Sequence, residues 1–474
     1  MLPSKMRAMA ARITSYPRYT GAAYASAPVA TRKALANIRA PDQSRAPPHP
    51  PRPPVPPPPS GFTRTLHAAP AAYPREFAES TGSLERSSHP FRSSAPPATE
   101  SKEERNARIA SEKDVCVGRR LGANPRQSAS SSEPAQWVVA ERWRRDVPSG
   151  DGVTLVLTHA CGLDKSHWDP VVRSLLARDP KAPGGQYGSG DALSKPTNVV
   201  INDVWLLDDV QHGASVDVNA GRLGTSYSWI DIGRDIINLV ENVLPSVKDD
   251  PQAPWQLQWE EAGKGTPPMV ILVGHSYGGS GVVHAAHARP DLFHSVFLAE
   301  PMVTPSLVND PKKGYPLTMG ALKRRSEWPS REAASAANRS NPMFKTWNED
   351  TFKLWLDHSL VPVDPAKPDG AVTLATPTWA EASTFSEPYG PPAGWSKLPE
   401  LQIPTGFFMA GDPAWMGGET VANEMVWRPP RARNERLMDS SHLMVQEKPT
   451  ETADAIWRFL TTLDAGEWDQ PRRD

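Results

Sequence analysis

From Trp137 onward, apolar residues fall in short runs separated by stretches of helical period. Gln136 to Arg145, Val153-Thr-Leu-Val-Leu-Thr158, Val199 to Asp208, Met269-Val-Ile-Leu-Val273, Ser295-Val-Phe-Leu-Ala299, Ile403 to Ala410 and Asn434 to Met438 read as strands. The first of these is expected to be partly exposed, and Val153 to Thr158, Met269 to Val273 and Ser295 to Ala299 to be buried. Between them, Ile230, Ile232, Ile236, Ile237, Val240 and Leu244 recur at threes and fours, which predicts a helix over 228–244. Pro170 to Ala177 and Val282 to Ala288 read as shorter helices. Pro449 to Leu463 closes the chain with Ala453, Ile456, Trp457 and Leu460 on one face. Strands alternating with helices predict an α/β protein, a mostly parallel sheet covered on both faces. In such a sheet functional groups gather beyond the carboxyl ends of the strands.

Two regions break this alternation. Residues 303–400 combine polar helical stretches, such as Ser330 to Asn338 and Asn348 to His358, with a loop rich in Pro, Gly and Thr. They read as a cap inserted between a first core part, 134–302, and a second, 401–474. Residues 1–133 contain none of the 16 tryptophans and include Ala46-Pro-Pro-His-Pro-Pro-Arg-Pro-Pro-Val-Pro-Pro-Pro-Pro-Ser60. Such a composition buries too little apolar area to offset chain ordering, so 1–133 is expected to be a disordered extension. Polyproline II character is expected near 47–59. Residues 178–197, rich in Gly and Pro, read as a surface insertion.

Charge and cysteine content narrow the classes. The formal net charge is -1, so nothing electrostatic points to nucleic acid or an anionic membrane. Cys116 and Cys161 are too few for a disulfide framework or a Cys-based zinc site. No apolar run is long enough to span a bilayer. Seven Lys or Arg precede the first acid, Asp42, a composition like a mitochondrial transit peptide. The chain ends Arg472-Arg-Asp474, without a C-terminal peroxisomal signal. A cytoplasmic location is expected, with the mitochondrion as the alternative.

The chemistry centres on Gly274-His275-Ser276-Tyr277-Gly278, which follows a buried strand and opens a small-residue helix. This is the context of a nucleophile elbow, with the Ser276 hydroxyl raised above the sheet on a strained turn. A serine needs a base within hydrogen-bond reach. His442, in the loop after the last strand, is the base expected. Two carboxylates compete as its partner. Glu300 ends the strand after the elbow, where a buried carboxylate is costly unless paired. Asp412 follows the next strand, but the customary position three residues beyond the glycine falls on Ala414. The backbone N–H groups of Tyr277 and Cys161 are the expected oxyanion donors. The Cys161 thiol reads as a buried filler, and His275 and His284 as packing residues.

Residues 134–474 resemble the α/β-hydrolase fold and, within it, fungal toxin-biosynthesis-type hydrolases, a group that includes peroxisomal lipase-like proteins. The resemblance rests on Thr158-His-Ala-Cys-Gly-Leu-Asp-Lys-Ser-His-Trp168, Trp205 to Ser215, Tyr227 to Asp235, Gly274 to Gly279, Ala299-Glu-Pro301, Ser441-His-Leu443 and Glu447-Lys-Pro449. It implies a serine hydrolase with a helical cap, and it favours Glu300, because that group is similar in carrying Glu-Pro after the sixth strand. Cys161 stands where the group often has asparagine, and the 1–133 extension has no counterpart. The expected activity is cofactor-free and metal-free hydrolysis of a carboxylic ester or related acyl bond in a small, apolar substrate. Acyl transfer by the same residues, and a non-catalytic scaffold on the same fold, are the rivals. Serine rather than aspartate at the elbow disfavours epoxide hydrolysis and dehalogenation.

Overall fold

A computed structural model describes residues 13–23, 37–41, 55–92, 99–125, 133–179, 197–261, 268–306 and 309–468. Most of the transit-like N-terminus, the proline tract up to residue 54 and the insertion at 180–196 lie outside the described residues.

Nine strands form one sheet. In chain order they are β1 (Ile13–Thr14), β2 (Phe62–Pro70), β3 (Trp137–Arg145), β4 (Val153–Thr158), β5 (Ile201–Leu207), β6 (Val270–His275), β7 (Ser295–Ala299), β8 (Thr405–Ala410) and β9 (Ala432–Leu437). Their order across the sheet is β1-β9-β8-β7-β6-β4-β5-β3-β2. From β5 to β9 all neighbours run parallel. The antiparallel strands β2 and β3 extend one edge, and the short antiparallel β1 the other. This is the α/β architecture read from the alternation.

Alternate residues of the central strands feed two cores. Val156, Leu272, Leu298 and Met409 face one layer, in which helices α3 (Trp229–Asn242) and α4 (Tyr277–Ala288) pack together. Leu155, Val273, Phe297 and Phe408 face the other, built on α2 (Asp169–Leu176) and the closing helix α6 (Pro449–Asp464). An uninterrupted apolar run is what a strand buried on both faces requires.

Three features depart from the sequence reading. First, β3 is buried along its whole length rather than partly exposed. Its outer edge is covered by β2, paired in register from Phe62↔Arg145 to Pro70↔Trp137. Its charges are neutralised: Arg142 and Arg144 reach Asp203, and Glu141 binds Arg64. Second, the described part of the 1–133 extension adds β1 and β2 to the sheet and a 21-residue helix, α1 (Lys102–Gly122), to its periphery. A capping box starts α1: Ser101 accepts from the Glu104 N–H and Glu104 accepts from the Ser101 N–H. A thin stripe of Ile109, Cys116 and Val117 is buried. Third, the 303–400 region is not only helix and loop. Glu327–Trp328, Leu360–Pro362 and Val372–Leu374 form a small antiparallel sheet. Trp328, Phe344, Trp347, Phe352 and Trp355 pack into one cluster that also takes in Ala160 and Leu163. The cap therefore rests on the loop after β4. Trp379, on helix α5 (Thr378–Phe385), belongs instead to a cluster with Cys116 of α1.

Candidate active site

The turn from β6 into α4 places Ser276 at φ 55° and ψ -118°. A non-glycine residue held in that region costs of order 1–3 kcal/mol and persists only where its surroundings impose it. Here they do. The Ser276 N–H donates to the Ala299 carbonyl (3.1 Å), and its carbonyl accepts from the N–H groups of Met302 (2.9 Å) and Ser280 (3.2 Å). α4 lies so close to β4 that a Cβ on Gly278 would meet Thr158 Oγ1 at 2.6 Å and the His159 carbonyl oxygen at 2.7 Å. Glycine is required there by close approach alone.

His442 stands in the loop after β9. Its Nε2 is 2.9 Å from Ser276 Oγ, and its Nδ1 is 3.3 Å from Glu300 Oε2. Glu300 directly follows β7, at φ 43°, and is fully buried. Its other oxygen, Oε1, accepts from the Ala410 N–H at 2.7 Å, so the carboxylate is held from β8 and aimed at the imidazole. With the proton on Nδ1 donated to Glu300, the Nε2 lone pair faces the Ser276 hydroxyl. The structure thus brings Ser276, His442 and Glu300 into one hydrogen-bonded line. It leaves Asp412 outside: that side chain is exposed and accepts from the Ala414 N–H at 3.0 Å, as a turn aspartate does.

Cys161 stands in the loop after β4 and Tyr277 opens α4 beside Ser276; the Gly278 N–H donates to the His159 carbonyl at 3.1 Å and ties the two backbones together. Among the described residues, neither the Cys161 nor the Tyr277 backbone N–H has a hydrogen-bond acceptor. The next residue, Gly162, has φ +76° and donates its N–H to His212 Nε2 at 3.1 Å. Burial and the neighbouring His159 hold His212 well below its ordinary pKa, so its Nε2 stays a neutral acceptor. A Cβ on Gly162 would lie 2.6 Å from Glu381 Oε1. The Cys161 thiol is pushed well up by burial and by the charge of Glu381, and it remains protonated. The Tyr277 hydroxyl donates to Asp209 Oδ2 at 2.5 Å, tying the start of α4 to the loop after β5.

Two further groups hold His442: Trp415, which the sequence does not single out, and His275, which reads there as a packing residue. The indole of Trp415 stacks on the His442 imidazole at 5.1 Å with planes 18° apart, while 46% of Trp415 stays exposed. His275 Nε2 lies 2.8 Å from the His442 carbonyl oxygen and donates to it. Glu447 holds the other end of the His442 loop by accepting from the Ser441 N–H (2.9 Å) and hydroxyl (2.8 Å).

Burial, together with the charge of His442, lowers the pKa of His275 from its ordinary 6.5 to about 3. On acidification the unfolded chain takes up this proton first. The stability carried by neutral His275 is therefore full above about pH 6.5 and is lost as the pH falls towards 3. Its slope is at most about 1.4 kcal/mol per pH unit. In His275→Gln, which keeps a donor but does not titrate, this contribution disappears. The stability advantage of the native protein over the variant, from urea unfolding, is expected to shrink by about 1–2 kcal/mol between pH 7 and pH 5. Parallel curves would show that His275 is not the group responsible.

The profile of the Alpha/beta hydrolase family matches residues 155–455, well over half of the chain. The chain belongs to that family. Among curated relatives, the peroxisomal membrane protein LPX1 of Saccharomyces cerevisiae is 30% identical over 164 residues, covering 35% of this chain and 34% of that protein. The type I acyl-CoA thioesterase mpaH of Penicillium roqueforti is 25% identical over 195 residues, covering 40% and 36%. The matched stretch thus spans about a third of the length of each of these two relatives. Among solved structures, the peroxisomal α/β-hydrolase Lpx1 of Saccharomyces cerevisiae superposes with a TM-score of 0.59 at 16% identity, over 87% of this chain and 91% of that one. This bears out the resemblance to toxin-biosynthesis-type and peroxisomal lipase-like hydrolases. It overturns the expected cytoplasmic location, because the relative found both by sequence and by structure is a peroxisomal protein. Among the described residues, no helix is long and apolar enough to cross a membrane.

Proposed function

We propose that this protein hydrolyses an acyl ester or thioester through a covalent acyl-serine. The observation that carries the reading is the 2.9 Å contact between Ser276 Oγ and His442 Nε2, with Glu300 behind the ring. Ser276 attacks the carbonyl carbon as His442 takes its proton. Glu300 holds the tautomer and balances the imidazolium that forms. The carbonyl oxygen becomes an oxyanion between the N–H groups of Cys161 and Tyr277, each worth about 3–4 kcal/mol to the transition state. The intermediate then collapses, and the alcohol or thiol leaves with the proton from His442. Water, activated by the same imidazole, releases the acid and restores Ser276. The thioesterase name of one relative supports including thioesters, and the compartment of the other favours the peroxisome. A small, apolar acyl group suits the aromatic cap seated on the loop after β4.

A fluorophosphonate probe tests the reading directly. Stoichiometric labelling is expected, with the adduct mapping to Ser276. A folded protein that resists labelling at this residue would favour the scaffold reading instead.

A further inference from the structure

A crevice of about 300 Å³ opens between the N-terminal segment and the cap. Arg92, Arg105 and Arg108 line one side, and Arg324 and Arg325 the other, facing the carboxylates of Glu112 and Glu327. In a chain of net charge -1, this is a local excess of positive charge.

The five guanidinium groups are not equivalent. Arg108 is committed to Glu100 and Glu112, and Arg324 to Glu381 at 3.0 Å. Arg92 spends an N–H on His89 Nδ1 (2.6 Å) and lies 3.5 Å from Glu112. Arg105 and Arg325 each make one backbone contact, to the carbonyls of Lys323 (3.0 Å) and Glu327 (2.9 Å). Among the described residues neither pairs with a carboxylate, so most of their five N–H donors remain available on the two walls. Burial and Arg92 push the pKa of His89 down, so it adds no charge at neutral pH. Two arginine forks across a polar crevice suit an oxyanion, and their bidentate geometry matches phosphate oxygens; a neutral ligand would leave both charges unpaired. The crevice lies beside the reaction centre: Arg324 lines it, and its partner Glu381, outside the crevice, lies against Gly162, next to Cys161.

We propose that this crevice is the subsite for a phosphoryl group carried on the leaving-group arm of the acyl substrate. This rests on the reading of Ser276 as the nucleophile. The N-terminal segment then supplies one wall of the substrate site, which gives the ordered α1 a role in binding.

The experiment uses the full chain and two thioesters of one acyl group. One thiol carries a terminal phosphate, and the other ends in a hydroxyl. Arg105 and Arg325 are both exposed, and the double variant Arg105→Ala/Arg325→Ala is expected to melt with the native protein. In that variant the KM for the phosphorylated thioester is expected to rise about tenfold, with the KM for the neutral one unchanged. Inorganic diphosphate should inhibit hydrolysis of the phosphorylated substrate competitively, and its calorimetric binding should vanish in the variant. Equal KM values for the two thioesters in the native protein would overturn the proposal, as would a variant that weakens both alike. Diphosphate binding without any KM preference would also overturn it, by making the crevice a site for free phosphate. If Ser276 fails to label with fluorophosphonate, the nucleophile reading fails, while diphosphate titration still reports on the crevice.

Discussion

Replacing Ser276 with alanine is expected to lower the turnover of an activated ester by about 10⁵-fold. The fold should survive. The hydroxyl gives up one hydrogen bond, to His442 Nε2, a loss of about 1 kcal/mol. Alanine inherits the same strained backbone at φ 55°, because the contacts from Ala299, Met302 and Ser280 that impose it come through main-chain atoms. Activity and stability are thus expected to separate, with lost turnover and lost probe labelling beside a nearly unchanged urea midpoint. The residual rate is informative too. The N–H groups of Cys161 and Tyr277 remain, and in related chemistry an oxyanion site alone sustains catalysis well above that of water. A variant that keeps more than about a tenth of native turnover would remove Ser276 from the reaction.

What the chain disclosed in advance follows from where the information is local. The elbow is local: an apolar run, two glycines, a serine and a small-residue helix, all within twenty residues. The central strands were legible because burial on both faces leaves an uninterrupted apolar run, as in Val270 to Val273. β2 was not legible. Phe62-Thr-Arg-Thr-Leu-His-Ala-Ala-Pro70 follows a proline tract and carries Arg64 and His67. What makes that strand stable is its distant partners. Arg64 binds Glu141 and Asp169 and lies over the Trp143 ring at 4.7 Å. A charge buried by pairing looks like a solvated charge until its partner is known. α1 was hidden for a related reason. It packs on the cap through a stripe too thin to raise a helical pattern above its many charges, and the buried Arg120 pairs with Glu387 far along the chain. Trp415 was equally unreadable. Nothing in Ala414-Trp-Met416 says that the indole will stack on an imidazole contributed by the loop after β9.

The acid of the site is where local sequence left two answers, and the two carboxylates are expected to respond to substitution very differently. Glu300→Gln should reduce turnover by about 10³–10⁴-fold, and Asp412→Asn should change it by less than about threefold. The argument turns on the tautomer. Glu300 Oε1 already accepts from the Ala410 N–H, which would hold the glutamine carbonyl oxygen in the same place. The amide nitrogen would then face His442 Nδ1 and donate to it. The ring proton would be driven to Nε2, where it blocks acceptance of the Ser276 proton. The shape of the site is kept and its proton is misplaced, so KM is expected to stay near the native value while kcat falls. Asp412 has no such leverage. It is exposed and caps its own turn, and asparagine can accept from the Ala414 N–H equally well. Steady-state kinetics of the two variants decide the matter. If Asp412→Asn lost activity while Glu300→Gln kept it, the imidazole would be oriented from β8, and the contact between Glu300 and Nδ1 would be a packing contact rather than part of the catalytic line.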